Sequence, residues 1–280
     1  MLTARAGASL AELLVAMVML GVIGAAATNA LTQQGRVRTR VVARLVAEAQ
    51  LREAIAPLLA DLGAASPAAG DFTAGQATDT TVELRVAAAE AFVCALDGGD
   101  PATVHLVLLS SMLGRSIAAG DMAWLYDGES WTGAPVERVA AVGAPVDGCT
   151  QRSAAAASLV RVTLGGAAPR ATGAAVRFTR RIRYSFYRAS DGNTYLGLRA
   201  WSASTGGFAS VQPVAGPLDR AGSRFRYLDT LGSPLGPSHA AGPALAQVII
   251  ELAGTGAPPA GRAVSIPPTL RATAALRNRR

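Results

Sequence analysis

Few side chains in this 280-residue sequence are of types that do chemistry, and their spacing decides what chemistry is open to them. His105, Ser110 and Ser111 come nearest to a base and a nucleophile, yet no G-x-S-x-G elbow surrounds either serine. A histidine alone in an apolar strand reads as structural. Gly165-Gly166 and Gly206-Gly207 lack the lysine and hydroxyl residue that complete a phosphate loop, so they read as turns. Asp191-Gly192-Asn193 has the composition of the start of a calcium loop, but the later ligands are missing and a hairpin turn accounts for it. His239 stands alone and no C-x-x-C occurs. No metal site, cofactor or small-molecule substrate is expected, and the chain is not expected to be an enzyme.

The 2 cysteines, Cys94 and Cys149, are far apart in sequence. If the body lies outside the cytoplasm they are expected to pair and close a long loop; otherwise they are two buried thiols. Glu12 is the remaining anomaly. It is the one charge between Gly7 and Ala27, and Leu13 to Ala27 carries none. With Ala8 to Leu10 this run nearly reaches the roughly 20 apolar residues that span a bilayer as a helix. A carboxylate near the end of such a helix costs a few kcal/mol unless it finds the interface or a cation. On a membrane-helix reading, a partner cation for Glu12 would have to come from another molecule. The competing reading is an ordinary secretory signal, with Arg5 as its charged region, Leu13 to Ile23 as its apolar region and Ala25 to Ala27 as its cleavage site. An acid at the start of the apolar region has no use in such a segment.

The elements that must position these residues follow from periodicity. Asn29, Gln33, Gln34 and Gly35 lower helix propensity between Thr28 and Gly35. Helix resumes from Val37 to Leu62, where Val41, Val42, Leu45, Leu51, Ile55, Leu58, Leu59 and Leu62 recur mostly at three- and four-residue steps. That stripe predicts an amphipathic helix whose second half packs on a sheet. Pro57 predicts a kink or a new turn, and Gly63 a stop. Beyond it, alternating runs predict strands at 80–86, 103–109, 122–126, 136–142, 159–164, 176–188, 194–201, 225–229, 246–252 and 269–276. In the hairpin around Ser190 to Asn193, Ile182, Tyr184 and Phe186 and, across the turn, Leu196, Leu198 and Ala200 form a core face; Arg181, Arg183, Ser185, Tyr195, Gly197 and Arg199 form a wet one.

Composition narrows the classes further. Hydrophobic residues make up 50% of the chain, which leaves ample core beyond the anchor. Net charge is +7 and every one of the 26 basic residues is arginine. The arginines are spread among carboxylates apart from a small cluster at Arg271 to Arg280, so nucleic acid is not expected as a partner.

A leader ending in Gly7, a small residue at Ala8, glutamate as the fifth residue after the glycine and an unbroken Leu/Val/Met/Ala run resemble the type IV pilin and type II secretion pseudopilin signature. The later order Y-S-F-Y-R, turn, Y-L-G-L-R-A-W, V-Q-P-V-A-G-P-L, F-R-Y-L-D-T-L-G, L-A-Q-V-I-I-E-L and L-R-A-T-A-A-L-R-N is similar to the larger minor subunits, the J-type pseudopilin and the W-type minor pilin. Ala87 to Ser158 is the least matched part and reads as an insertion carrying both cysteines. The family has Phe or Met where this chain has Ala8.

The resemblance implies an α+β, pilin-like fold. Residues 1–7 would be a leader, 8–27 a transmembrane helix, 28–62 its amphipathic continuation and 63–280 a β-rich periplasmic head. It implies that a prepilin peptidase cuts between Gly7 and Ala8 and methylates the new amine. Glu12 would then face the Ala8 amine of a neighbouring pilin or pseudopilin subunit. The chain would sit once across the inner membrane, its head outside the cytoplasm, and would serve filament assembly and secretion. A pilus-tip or competence subunit contacting substrate or DNA, and a secreted binding domain, are the alternatives. Arg36, Arg38, Arg40 and Arg44 follow the apolar run, which by charge bias alone favours the opposite orientation; the motif takes precedence here.

Overall fold

The computed structural model describes residues 10–111, 116–126, 128–143, 146–149, 159–166, 171–203, 205–236, 239–255 and 268–276. Helix α1 runs without a break over Leu10–Ala54, including the polar passage where sequence predicts a weak point. The hydroxyls there turn onto the helix itself: Thr28 donates to the Gly24 carbonyl at 2.8 Å, Thr32 to Asn29 at 2.8 Å and Thr39 to Gly35 at 2.9 Å. Gly35 costs about 1 kcal/mol relative to alanine, too little to end so long a helix. The break comes at Ile55, and α2 follows over Ala56–Ala64 with Pro57 in its first turn, where a missing N–H costs nothing. Gly63 lies inside α2, which ends one residue later.

The chain is α+β, and it divides into two compact units, one ending at Gln50 and the other spanning Leu51–Arg280. Among the described residues the second holds twelve strands: β1 Thr81–Leu96, β2 Thr103–Ser111, β3 Met122–Tyr126, β4 Trp131–Ala141, β5 Leu159–Leu164, β6 Ala175–Arg188, β7 Thr194–Ser202, β8 Gly207–Phe208, β9 Gln212–Leu218, β10 Arg224–Leu228, β11 Gln247–Ala253 and β12 Thr269–Ala275. All their pairings are antiparallel.

Strands β1 and β6 are long because each serves two bodies. Thr81 to Ala87 of β1 pairs with Thr179 to Ser185 of β6, and β7 continues that sheet outward to β8 and β9. Beyond Ala87 the partners change. β1 pairs β2, β2 pairs β5, β5 pairs β4, β4 pairs β3, β3 pairs β6 and β6 returns to β1, which closes a ring of six strands. A closed ring leaves no exposed edge. Register shifts at Ala87/Ala89, and at Glu90/Ala91 against β2, mark where β1 bends from one body into the other.

Each body has its own core. Leu51, Ile55, Leu58 and Leu62 pack with Leu84, Ile182, Tyr184 and Leu196 on one side and with Phe225, Val248 and Ile250 of the three-stranded sheet β10-β11-β12 on the other. Each of those four helical side chains contributes about 2 kcal/mol by burial. Asp61 is buried in this core and receives the Tyr184 hydroxyl at 2.9 Å. The ring is filled by a second cluster that includes Val93, Leu106, Val136, Val162, Leu164 and Phe178. By strand alternation Arg180 falls on the same side of β6 as Phe178 and Ile182, between the two cores. It is held there by buried Asp121 through Nε at 2.7 Å and Nη2 at 2.8 Å, with Nη2 also donating to the Ser116 carbonyl at 2.6 Å.

Candidate functional site

Of the residues that the sequence singles out at the N-terminus, Gly7 and Ala8 lie outside the described residues. Glu12 stands in the first turn of α1, where the helix dipole favours an acid. Around and beyond it the helix is bare. From Leu10 to Ile23 every large apolar side chain is more than half exposed, and Val37, Val41, Val42, Leu45 and Val46 are at least half exposed. Leu51 is 9% exposed and Ile55 is fully buried. This helix is long and apolar enough to cross a membrane. The exposed apolar run from Leu10 to Ala27 is of the size that in other proteins marks an interaction surface or a membrane-spanning segment.

Cys94 and Cys149 form a disulfide that closes a 55-residue separation. Cys94 lies on the outside of the ring, and the bond holds a strap over it: Val142 and Val146 pack with Val107 and Leu159 around the two sulfurs. His105 is on the same outer face of β2 as Val107. It is buried, its Nδ1 has no hydrogen-bond partner, and burial followed by the Arg161 charge lowers its pKa below the ordinary value. The backbone positions of Ser110 and Ser111 lie five and six residues further along the same strand, some 16 Å or more from His105 at the usual rise. Asp191 caps its turn, accepting from the Asn193 amide at 2.9 Å, Asn193 Nδ2 at 3.0 Å and the Tyr195 hydroxyl at 2.8 Å. Among the described residues no group of three His, Cys, Asp or Glu side chains is placed to hold a metal.

Sequence reading misjudged one face. The positions expected to be wet on β6 and β7 instead enclose the fully buried carboxylate of Glu83, which takes Nε of Arg181 on one oxygen and Arg183 on the other. Burial disfavours the Glu83 anion, but hydrogen bonds from Arg181, Arg183 and Thr73 outweigh it and its pKa lies below the ordinary glutamate value. Above the arginines lie two rings. Arg181 sits 4.7 Å from the Trp201 centroid and Arg183 sits 4.2 Å from that of Phe208, which meets Trp201 edge to face. The signal was available in the sequence as Glu83, Arg181, Arg183, Arg199 and Trp201 on matching strand parities, but it needed the register of β1 against β6.

No family model, curated protein or solved structure matches this chain. What it does must therefore be argued from its own geometry. Two features stand out: the bare apolar helix that carries Glu12, and the arginine face around Glu83.

Proposed function

We propose that this chain is a minor pilin-like (pseudopilin) subunit of a type II secretion pseudopilus or type IV pilus, working by assembly rather than catalysis. The observation that carries the reading is α1 itself, one helix whose large apolar side chains are bare from Leu10 to Val46 and whose Leu51 packs into the core of the head. The bare part has the length for a bilayer anchor, and Val37 to Val46 extends the apolar surface past it. A subunit stored in a membrane and later drawn into a bundle of like helices has a use for both. In the bundle, Glu12 pairs with the Ala8 ammonium of a neighbour, because an unpaired ion among apolar helices is expensive. The disulfide favours an oxidising compartment for the head, in keeping with a periplasmic location. The hairpin β6–β7 and strands β9 to β12 fall where the resembling segments lie in sequence, and much of the six-strand ring falls in the least matched part.

The test is Glu12→Ala. The variant is expected to be processed and inserted normally, yet to be depleted from sheared filaments or from cross-linked complexes with other pseudopilins. Losing one partner of such an interfacial pair costs about 2 to 5 kcal/mol. Recovery with its partners at wild-type levels removes Glu12 as an assembly contact and overturns the reading.

A further inference from the structure

The arginine face around Glu83 holds more cations than its one carboxylate can serve. Arg183 of β6 lies directly across the ladder from Arg199 of β7. Like charges placed opposite each other destabilise a sheet unless something lies between them. Arg181 and Arg183 are both satisfied by Glu83, and both lean on rings. Arg85, opposite Arg181 on β1, turns instead to the Gly70 carbonyl at 3.4 Å. Arg199 has none of this. Its Nε is buried without a hydrogen-bond acceptor, and no ion pair reaches its guanidinium among the described residues. Arg199 is half-buried, so its charge is partly desolvated, and an acceptor that reaches its guanidinium from outside offsets that cost.

We propose that Arg199, with Arg183 beside it, is a docking point for an acidic segment of a partner protein, which inserts one carboxylate against the two guanidiniums. Charge complementarity selects the occupant. Glu83 shows how this face receives a carboxylate, between arginine side chains with both oxygens used, and Arg199 repeats that requirement once. A phosphate polymer is a poorer fit. Nucleic acid binding uses rows of cations spaced along a backbone and free aromatic faces for stacking. Here Arg181 and Arg183 converge on one carboxylate, Arg199 lies one ladder position across from Arg183, and Trp201 and Phe208 are already engaged by Arg181 and Arg183. The inference stands apart from the filament reading, since it needs only the second compact unit.

The experiment is calorimetric titration of the full chain in zwitterionic-detergent micelles at fixed ionic strength with blocked tetraglutamate, blocked tetraglutamine and inorganic phosphate. Tetraglutamate is expected to bind saturably, at least tenfold tighter than phosphate, with tetraglutamine giving no saturable heat. Arg199→Gln should weaken tetraglutamate at least tenfold, whereas Arg138→Gln, which removes an exposed charge from β4, should leave it within twofold. If Arg199→Gln fails to fold by near-ultraviolet circular dichroism, Arg199→Lys keeps the charge, loses the planar fork and should still weaken binding at least threefold. The wild-type comparison of the three probes needs no variant. Phosphate binding as tightly as the peptide assigns the site to phosphate groups and overturns the proposal. So does equal affinity in the Arg199 and Arg138 variants, which would mean unspecific attraction to a basic chain.

Discussion

Arg183 places two donors on one oxygen of Glu83, Nη2 at 2.6 Å and Nε at 2.9 Å, while Arg181 holds the other oxygen. The carboxylate they share is fully buried although each arginine keeps part of its side chain in water. The sheet β1–β6–β7 is therefore bound on its outer side by charge, and on its inner side by the Leu84, Ile182 and Tyr184 core.

This pairing makes head stability depend on acid. The folded pKa of Glu83 lies below its ordinary 4.5, so as pH falls the unfolded chain takes up the proton first. The stabilisation is complete above pH 4.5 and is lost as pH falls through the folded value. Glu83→Gln is expected to lower stability at neutral pH by about 2 to 3 kcal/mol, less than for a fully buried pair because the arginines retain water. Denaturant melts across pH check it: the acid limb should be flatter in the variant, and identical limbs would contradict the assignment.

The disulfide holds the strap over the ring. In the chain-entropy account a separation of 55 residues is worth about 4 kcal/mol, so reduction or a Cys94→Ala, Cys149→Ala double variant should lower stability by up to that amount. Non-reducing peptide mapping should recover the two cysteines linked. Unchanged melting after reduction would mean that packing of Val142, Val146 and Leu159 alone keeps the strap in place.

The six-strand ring behaves as an insertion between two halves of a hairpin. Ala87 and Thr179 are ladder partners, so a short turn could join them directly. Replacing residues 88–178 by a tight Asn-Gly turn, in a chain beginning at Leu51, is expected to leave a soluble, cooperatively folding head that keeps the helix–sheet core. Near-ultraviolet circular dichroism and a denaturant melt check this. A molten or insoluble product would show that the Asp121–Arg180 pair and the ring are needed to form the outer half of the head.

Much of this architecture is legible in the sequence, and the illegible parts have physical causes. Strands β3 and β5 fall exactly where alternation puts them, and the β6–β7 hairpin follows its pattern through Ile182, Tyr184 and Leu196. The reading of β1 stops ten residues short because alternation fails at Ala87 to Ala91, where the bulges reverse which parity faces inward. The start of β4 is hidden by Gly133 and Pro135; Gly133 is needed because the Trp124 ring lies over it, 3.1 Å from where a Cβ would stand. Strand β9 carries Pro213 and Pro217, tolerated because, among the described residues, its one ladder is to β7 and its other side is bridged at Leu218–Gly254 alone. Ring closure depends on pairings between distant strands, which no local period records. Of the candidate site, Glu12 and the two cysteines are visible as isolated anomalies, whereas the Arg183–Arg199 juxtaposition exists only once the β6–β7 register is known.

The central claim rests on how the N-terminus is processed, and the mature N-terminus of the chain purified from membranes, read by mass spectrometry, tests it most directly. The account predicts a chain that begins at Ala8 with a methylated amine, the group that Glu12 is proposed to meet. A mature start near Thr28 would mean that the apolar helix is a cleaved secretory signal, and would contradict the account.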